Sequence, residues 1–184
     1  INVYEKWYNL KHPSPHLLID AVYGLPELYR KEIAQKSLIA NPGCYTTCSI
    51  LALAPAVANK LINIKGVIID AKSGVTGAGR SASLAFSFCE CAENMKAYKI
   101  VGHRHTSEIE QELSAIAKKQ LNVTFTPHLV PQKRGILATC YAELSDGAAS
   151  TEQITAAYQS YYKNEPFVRI YPDGELPETK YVSG

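Results

Sequence analysis

The spacing of apolar and polar positions predicts strands and helices in mixed order along most of the chain. His16–Tyr23 (HLLIDAVY) reads as a buried strand. Leu25–Ser37 reads as a short helix, with Pro26 at the favoured first-turn position. Ser37–Ala40 is a brief apolar strand that stops at Asn41-Pro42-Gly43, a strong turn signal. From Tyr45 to Lys60 a run rich in Ala, Leu and Ile suits a long helix, which Pro55 should kink or restart. Lys65–Ala71 (KGVIIDA) predicts a strand feeding Ser73–Gly79, a loop with three glycines in seven residues. Ser81–Glu93 follows neither period clearly, and Tyr98–Val101 reads as a short strand.

The sharpest helical stripe is Ile109, Leu113, Ile116 and Leu121, with Ser107 and Glu110 at capping-box spacing before it. Val123–Pro127, His128–Val130 and Gly135–Leu144 carry strand patterns. Thr151–Tyr162 is a last helix, capped by Ser150 or Thr151. The tail, Pro166–Gly184, holds three prolines and a short strand at Phe167–Tyr171. No internal repeat is present. The elements add up to an α+β domain with a mixed, largely antiparallel sheet covered by helices.

Composition narrows the class further. At 184 residues, 46% hydrophobic and 20% charged, the chain can bury roughly 70% of its unfolded surface. The net charge of +2 comes without a basic block, so nothing points to nucleic acid or a membrane surface as partner. No apolar run reaches the ~18 residues of a membrane helix. Five unevenly spaced cysteines in a chain of this size point to a reducing, cytoplasmic setting and leave room for a working thiol.

Three stretches could carry chemistry. In Asn41-Pro42-Gly43-Cys44-Tyr45 the thiol sits in the first turn of a helix. Unpaired amides and the positive end of the helix dipole favour thiolate there and could hold an oxyanion. Gly43 keeps side-chain bulk away from the sulfur. The plainer reading of Cys44 is a small residue packed at a turn. Cys48, Cys89, Cys91 and Cys140 read as structural. In Gly102-His103-Arg104-His105-Thr106-Ser107-Glu108, His105 abuts a helix start that suits a neutral base, and Glu108 is near enough to tune it. The same block could instead be a solvated helix start, or give two metal ligands lacking a third. Ser73–Gly79 could bring amides to a phosphate or a flat ring, or simply connect two elements. It is neither a dinucleotide fingerprint nor a P-loop.

Taken together, these stretches resemble the N-acetyl-gamma-glutamyl-phosphate reductases of the semialdehyde dehydrogenase group. The resemblance rests on six ordered blocks: Ala21–Leu28, Ile39–Thr47, Asp70–Arg80, Gly102–Gln111, Pro127–Thr139 and Glu165–Arg169. Two positions depart from the family's habit. Thr46 stands where proline or a small apolar residue is usual, and Cys48 where glycine or alanine is.

The resemblance implies NADPH-dependent reduction of N-acetyl-glutamyl 5-phosphate to the 5-semialdehyde and phosphate, a step of arginine biosynthesis. Cys44 would attack the acyl phosphate and form a thioester, and hydride would reduce it through a thiohemiacetal. His105 matches the acid/base histidine, and His103 and Glu108 match substrate-binding neighbours. Ser73, Gly74 and Gly77 match the loop that meets NADPH. The fold implied is that of the C-terminal domain of glyceraldehyde-3-phosphate dehydrogenase. Residues 1–40 would adjoin an absent Rossmann domain, and 41–184 would be the catalytic and dimerisation domain of a homo-oligomer. Alone, this part should fold yet be catalytically silent, because the Rossmann half grips the cofactor. Related acyl-phosphate reductases of the aspartate-semialdehyde or lysine-pathway type, a cysteine acyltransferase or hydrolase, and a non-catalytic assembly domain remain open alternatives.

Overall fold

A computed structural model of the protein describes residues 1–145 and 149–182. The elements in chain order are α1 (Asn2–Tyr8), β1 (Ala21–Tyr23), α2 (Pro26–Ile33), β2 (Leu38–Ala40), α3 (Cys44–Ala58) and β3 (Val67–Ser73). They continue with α4 (Phe88–Cys91), β4 (Lys96–Ala97), α5 (His105–Ala117), β5 (Val123–Leu129), β6 (Ile136–Tyr141) and α6 (Thr151–Tyr161). Short 3-10 turns cover Pro15–Ile19, Val75–Ala78, Leu84–Phe86 and Thr179–Val182.

The main sheet has the order β4-β5-β3-β6 and is mixed, as expected. Two of its three pairings are antiparallel, but the seven-residue ladder at its centre, β3 with β5, is parallel. Parallel neighbours need a crossover on one face, and α5 supplies it. Ile109 and Leu113 of its predicted stripe, with Leu121 beyond the helix end at Ala117, are fully buried against Val67, Ile69, Ala71 and Phe125. Beside it, α3 is apolar on nearly every side and buries Ile50, Leu53, Ala54 and Val57 between the sheet and its neighbours. The other face of the sheet is open, with Ile68, Leu137 and Tyr141 exposed. At its centre Asp70 pairs with Lys72 at 2.5 Å and faces His128 at 3.2 Å.

Pro55 does not restart α3, which runs through it without a break. Proline has no N–H for the carbonyl four residues back, so the Leu51 oxygen is left without its helical donor. The Tyr162 hydroxyl, just beyond α6, donates to it at 2.6 Å, and Tyr158 donates to Ala52 O at 2.7 Å. Tyr162→Phe should therefore cost about 1–3 kcal/mol, the penalty for a buried carbonyl left unsatisfied. Urea denaturation of the chain measures this, and a midpoint equal to that of the parent would contradict it.

Several local expectations fail for identifiable reasons. Only Ala21–Tyr23 of HLLIDAVY is a strand, because Pro15 opens a 3-10 turn over the rest, and Ile19 is 81% exposed. It forms a small parallel sheet with β2. The ladder before the histidine block ends at Ala97, not Val101, because Lys99 adopts a left-handed backbone (φ 45°) and turns the chain. Helix α5 begins at His105, so Ser107 lies inside its first turn and no capping box forms. Its hydroxyl donates to Arg104 O, and Glu110 accepts from the Val123 amide. Val123–Val130 is one strand ending at Leu129 rather than two. Phe167–Tyr171 is not a strand, and a Val168–Glu165 backbone turn begins it. The last helix is as expected, with a complete Ser150–Gln153 capping box.

Candidate functional site

The strand β2 leads through Asn41-Pro42 to Gly43, the N-cap of α3, and Cys44 is the first residue of the helix. The first intrahelical bond is made by the Thr47 amide to Gly43 O, so the amides of Cys44, Tyr45 and Thr46 lie ahead of it. Both Thr46 and Thr47 hydroxyls donate to the same Gly43 carbonyl, at 2.6 and 2.9 Å, and tighten this turn. Cys44 is exposed, whereas burial pushes the Cys48 thiol up and raises Cys140 to about 12. Cys44 thus combines an exposed thiol with a helix start, while Cys48 and Cys140 pack below. Cys89 is also exposed, but on the four-residue α4.

His105 opens α5 and lies directly over this turn. A methyl group at Gly43 would collide with the imidazole, standing 2.7 Å from Cε1. The glycine is required for that close approach, which sets the ring over the start of α3. Burial lowers the basicity of His105; the charge of Glu108 opposes that effect and Arg104 adds to it. The ring is therefore neutral, and able to accept a proton, at neutral pH.

His103 is 9% exposed, its ring set edge-on among Tyr45, Tyr98 and Phe125. Its Nδ1 accepts the His105 amide at 3.2 Å, so it serves as the acceptor that starts α5. Burial first, then His105, Lys99 and Arg104, hold its pKa down to about 4.

Cys44, His103 and His105 share one cavity of about 340 Å³ with Ser73, Gly74 and Gly77. Glu108 is not among the residues lining it. Its carboxylate instead accepts a 2.6 Å hydrogen bond from the Tyr23 hydroxyl. Most amides of the glycine-rich loop are already used. Those of Gly74, Val75 and Thr76 donate to Gly135, Gln132 and Lys133, and a side chain at Gly74 would strike the backbone at Lys133 and Arg134. The loop is therefore a smooth wall beside Cys44 and not a phosphate cradle. Lys99 and Arg104 add two cations to the cavity. Sequence reasoning passed over both, although Arg104 stands in the histidine block and Lys99 just before it. Among the described residues, no group of three or more His, Cys, Asp or Glu side chains could hold a metal ion.

Residues 44–184 match the family model described as semialdehyde dehydrogenase, dimerisation domain. The chain belongs to the semialdehyde dehydrogenase family.

The chain is 60% identical over 184 residues to N-acetyl-gamma-glutamyl-phosphate reductase of Acetivibrio thermocellus, covering 100% of the chain and 53% of that protein. It is 55% identical over 181 residues to the protein of the same name from Pelotomaculum thermopropionicum, covering 98% and 52%. The resemblance drawn from the six blocks is thus a likeness over essentially the whole chain. The chain spans about half the length of the curated relatives it matches.

Among solved structures, the fold is similar to aspartate semialdehyde dehydrogenase II from Vibrio cholerae, complexed with ASA. The TM-score is 0.63 at 17% identity, over 88% of this chain and 54% of that one. It is also similar to the Candida albicans aspartate semialdehyde dehydrogenase solved with NADP, with TM-score 0.51 and 15% identity over 75% and 44%. Both likenesses bear on the fold, which is the α+β architecture expected from the sequence. Within this family fold the Cys44 turn, the histidine block and the glycine-rich loop meet in one cavity. No helix among the described residues is long and apolar enough to cross a membrane.

Proposed function

We propose that this chain is the catalytic and dimerisation part of an NADPH-dependent reductase that converts N-acetyl-L-glutamyl 5-phosphate to N-acetyl-L-glutamate 5-semialdehyde and phosphate, in arginine biosynthesis. The observation that carries the reading is the convergence of Cys44, at the start of α3, and His105 in one cavity. The named relatives support the substrate class. On this reading the Cys44 sulfur attacks the acyl carbon, the carbon–oxygen bond to phosphate breaks, and an acyl thioester remains on the protein. The first-turn amides of α3 stabilise the oxyanion as it forms. His105 takes the thiol proton and returns it to the alkoxide that hydride addition to the thioester leaves. The thiohemiacetal then collapses: its carbon–sulfur bond breaks, its hydroxyl proton returns by way of His105 to the sulfur, and the semialdehyde is released. Lys99 and Arg104 supply positive charge for the phosphoryl group, and His103 borders the acyl chain.

NADPH supplies the hydride. The smooth wall of Ser73, Gly74 and Gly77 fits a flat ring lying beside Cys44, and their occupied amides leave the pyrophosphate to a Rossmann domain outside residues 1–184. Residues 1–40 adjoin that domain and 41–184 form the catalytic unit. The open sheet face bearing Ile68, Leu137 and Tyr141 pairs with a second copy, in keeping with the dimerisation-domain family. Five free cysteines suit a cytoplasmic enzyme.

The test is phosphate-dependent oxidation of N-acetyl-glutamate semialdehyde by a protein carrying this chain with its nucleotide-binding half. NADPH should appear only when phosphate is present. Release of phosphate from the acyl phosphate at full rate without any nicotinamide would identify a hydrolase instead.

A further inference from the structure

Tyr23 lies in β1, far in sequence from both reactive side chains, yet its hydroxyl donates to Glu108 Oε1 at 2.6 Å across 85 residues of chain. Six residues later Tyr29 repeats the contact one helical turn along, donating to Glu112 at 2.5 Å. Glu112 is 3% exposed and is held further by Gln111. The two tyrosine rings meet edge to face at 6.1 Å. The segment from β1 to α2 is thus docked on α5 by two hydroxyls, each gripping a carboxylate on the same helical face. The same segment is tied to the nucleophile turn. β1 pairs with β2, the Gly24 amide donates to Ala40 O, and the Thr46 hydroxyl lies beside that of Tyr23.

His105 sits three residues before Glu108, at the start of α5. Its Nδ1 is buried without a hydrogen-bond partner among the described residues, while its Nε2 faces the Gly43 turn. The titratable and charged groups around it are Cys44 and Tyr45 on α3, Tyr98, Lys99 and His103 ahead of α5, and Arg104 and Glu108 on the helix start. Among them Glu108 alone is a carboxylate, and Tyr23 is its hydrogen-bond donor. A glutamate free to turn toward solvent would lose its effect on the ring through screening.

We propose that Tyr23 is a positioning residue for His105: its hydroxyl fixes the Glu108 carboxylate in the first turn of α5, three residues on from His105, so that this charge bears on whether His105 holds a proton. The proposal rests on His105 being the acid/base group, but its test needs no turnover. Burial keeps the Tyr23 hydroxyl protonated, as a permanent donor must be.

The experiment is a histidine-resolved NMR titration of residues 1–184, with the His105 resonance assigned by its absence in His105→Asn. In Glu108→Gln the His105 midpoint should fall by about one pH unit, the loss of a near opposite charge. Tyr23→Phe keeps the ring and removes the hydroxyl, and should move the midpoint down by a resolvable part of that shift. Added to Glu108→Gln, it should do nothing more. Glu108→Asp, whose shorter carboxylate retreats from the hydroxyl, should also lower the midpoint and serves if Tyr23→Phe fails to fold. An unmoved or raised midpoint in these two variants would overturn the proposal. So would a further shift when Tyr23→Phe is added to Glu108→Gln, since that would show an effect through packing. Failure of the reductase assay with the titration shifts intact would overturn the function and leave the positioning role standing.

Discussion

Cys44→Ser is expected to abolish reductive turnover, by at least about 10⁴-fold, in a protein that joins this chain to its nucleotide-binding half. A serine hydroxyl at the same helix start is far less ionised than a thiol, and its ester would give up the acyl group less readily than a thioester. The loss should fall on kcat, because the cations Lys99 and Arg104 and the rest of the cavity stay in place to bind substrate. In the parent protein, alkylation should be fastest at Cys44 among the five thiols. Cys48 and Cys140 are disfavoured by burial, and Cys89 is exposed but lacks the positive end of a long helix. Faster labelling of Cys89, or a serine variant retaining a tenth of the activity, would contradict the assignment.

His105→Asn is the second large effect, a loss of roughly 10²–10⁴ in kcat. Asparagine keeps a polar group at the start of α5 but cannot carry a proton between sulfur and alkoxide. The pH dependence follows from the direction of the shift. Burial lowers the His105 pKa, so the acidic limb of kcat/KM should lie below the ~6.5 of a free histidine and vanish in the variant. The stability consequence has a definite sign. His103, held down to about 4, and His105 both bind protons more readily in the unfolded chain than in the folded one. Stability should therefore rise with pH between about 4 and 6.5, and His103→Asn should flatten part of that rise. The His103 Nδ1 accepts the His105 amide at the helix start and is not used for proton transfer to substrate, so the same variant should spare most of kcat.

Short-range features of the fold were legible in the sequence. Pro26 does open α2, Ser150 and Gln153 do cap α6, and the stripe on α5 is the core face. Each depends on residues within a few positions of one another. The failures share the opposite property. The passage of α3 through Pro55 is supported by tyrosines more than 100 residues away, which no local rule for proline contains. The ladder β4 stops at Ala97 because Lys99 adopts a left-handed backbone, which a lysine in an apolar run does not announce.

The candidate site divides in the same way. Cys44 and His105 stood out because a glycine turn and a helix start are local signals. Glu108 is expected at the substrate from the resemblance, and nothing in the sequence signals that it also accepts a hydrogen bond from Tyr23, 85 residues away. The glycine-rich loop invited a phosphate reading, and the turn from Gln132 to Gly135, remote in sequence, takes up its amides.

The central claim is that Cys44 receives the acyl group of an acyl phosphate, and peptide mass spectrometry addresses it directly. The two-domain protein is mixed with N-acetyl-glutamyl 5-phosphate in the absence of NADPH, quenched in acid and digested. The account predicts a stoichiometric burst of phosphate and one acyl group on the peptide containing Cys44, removed when NADPH is added. An acyl group on any other residue, or phosphate release with Cys44 unmodified throughout, would contradict it.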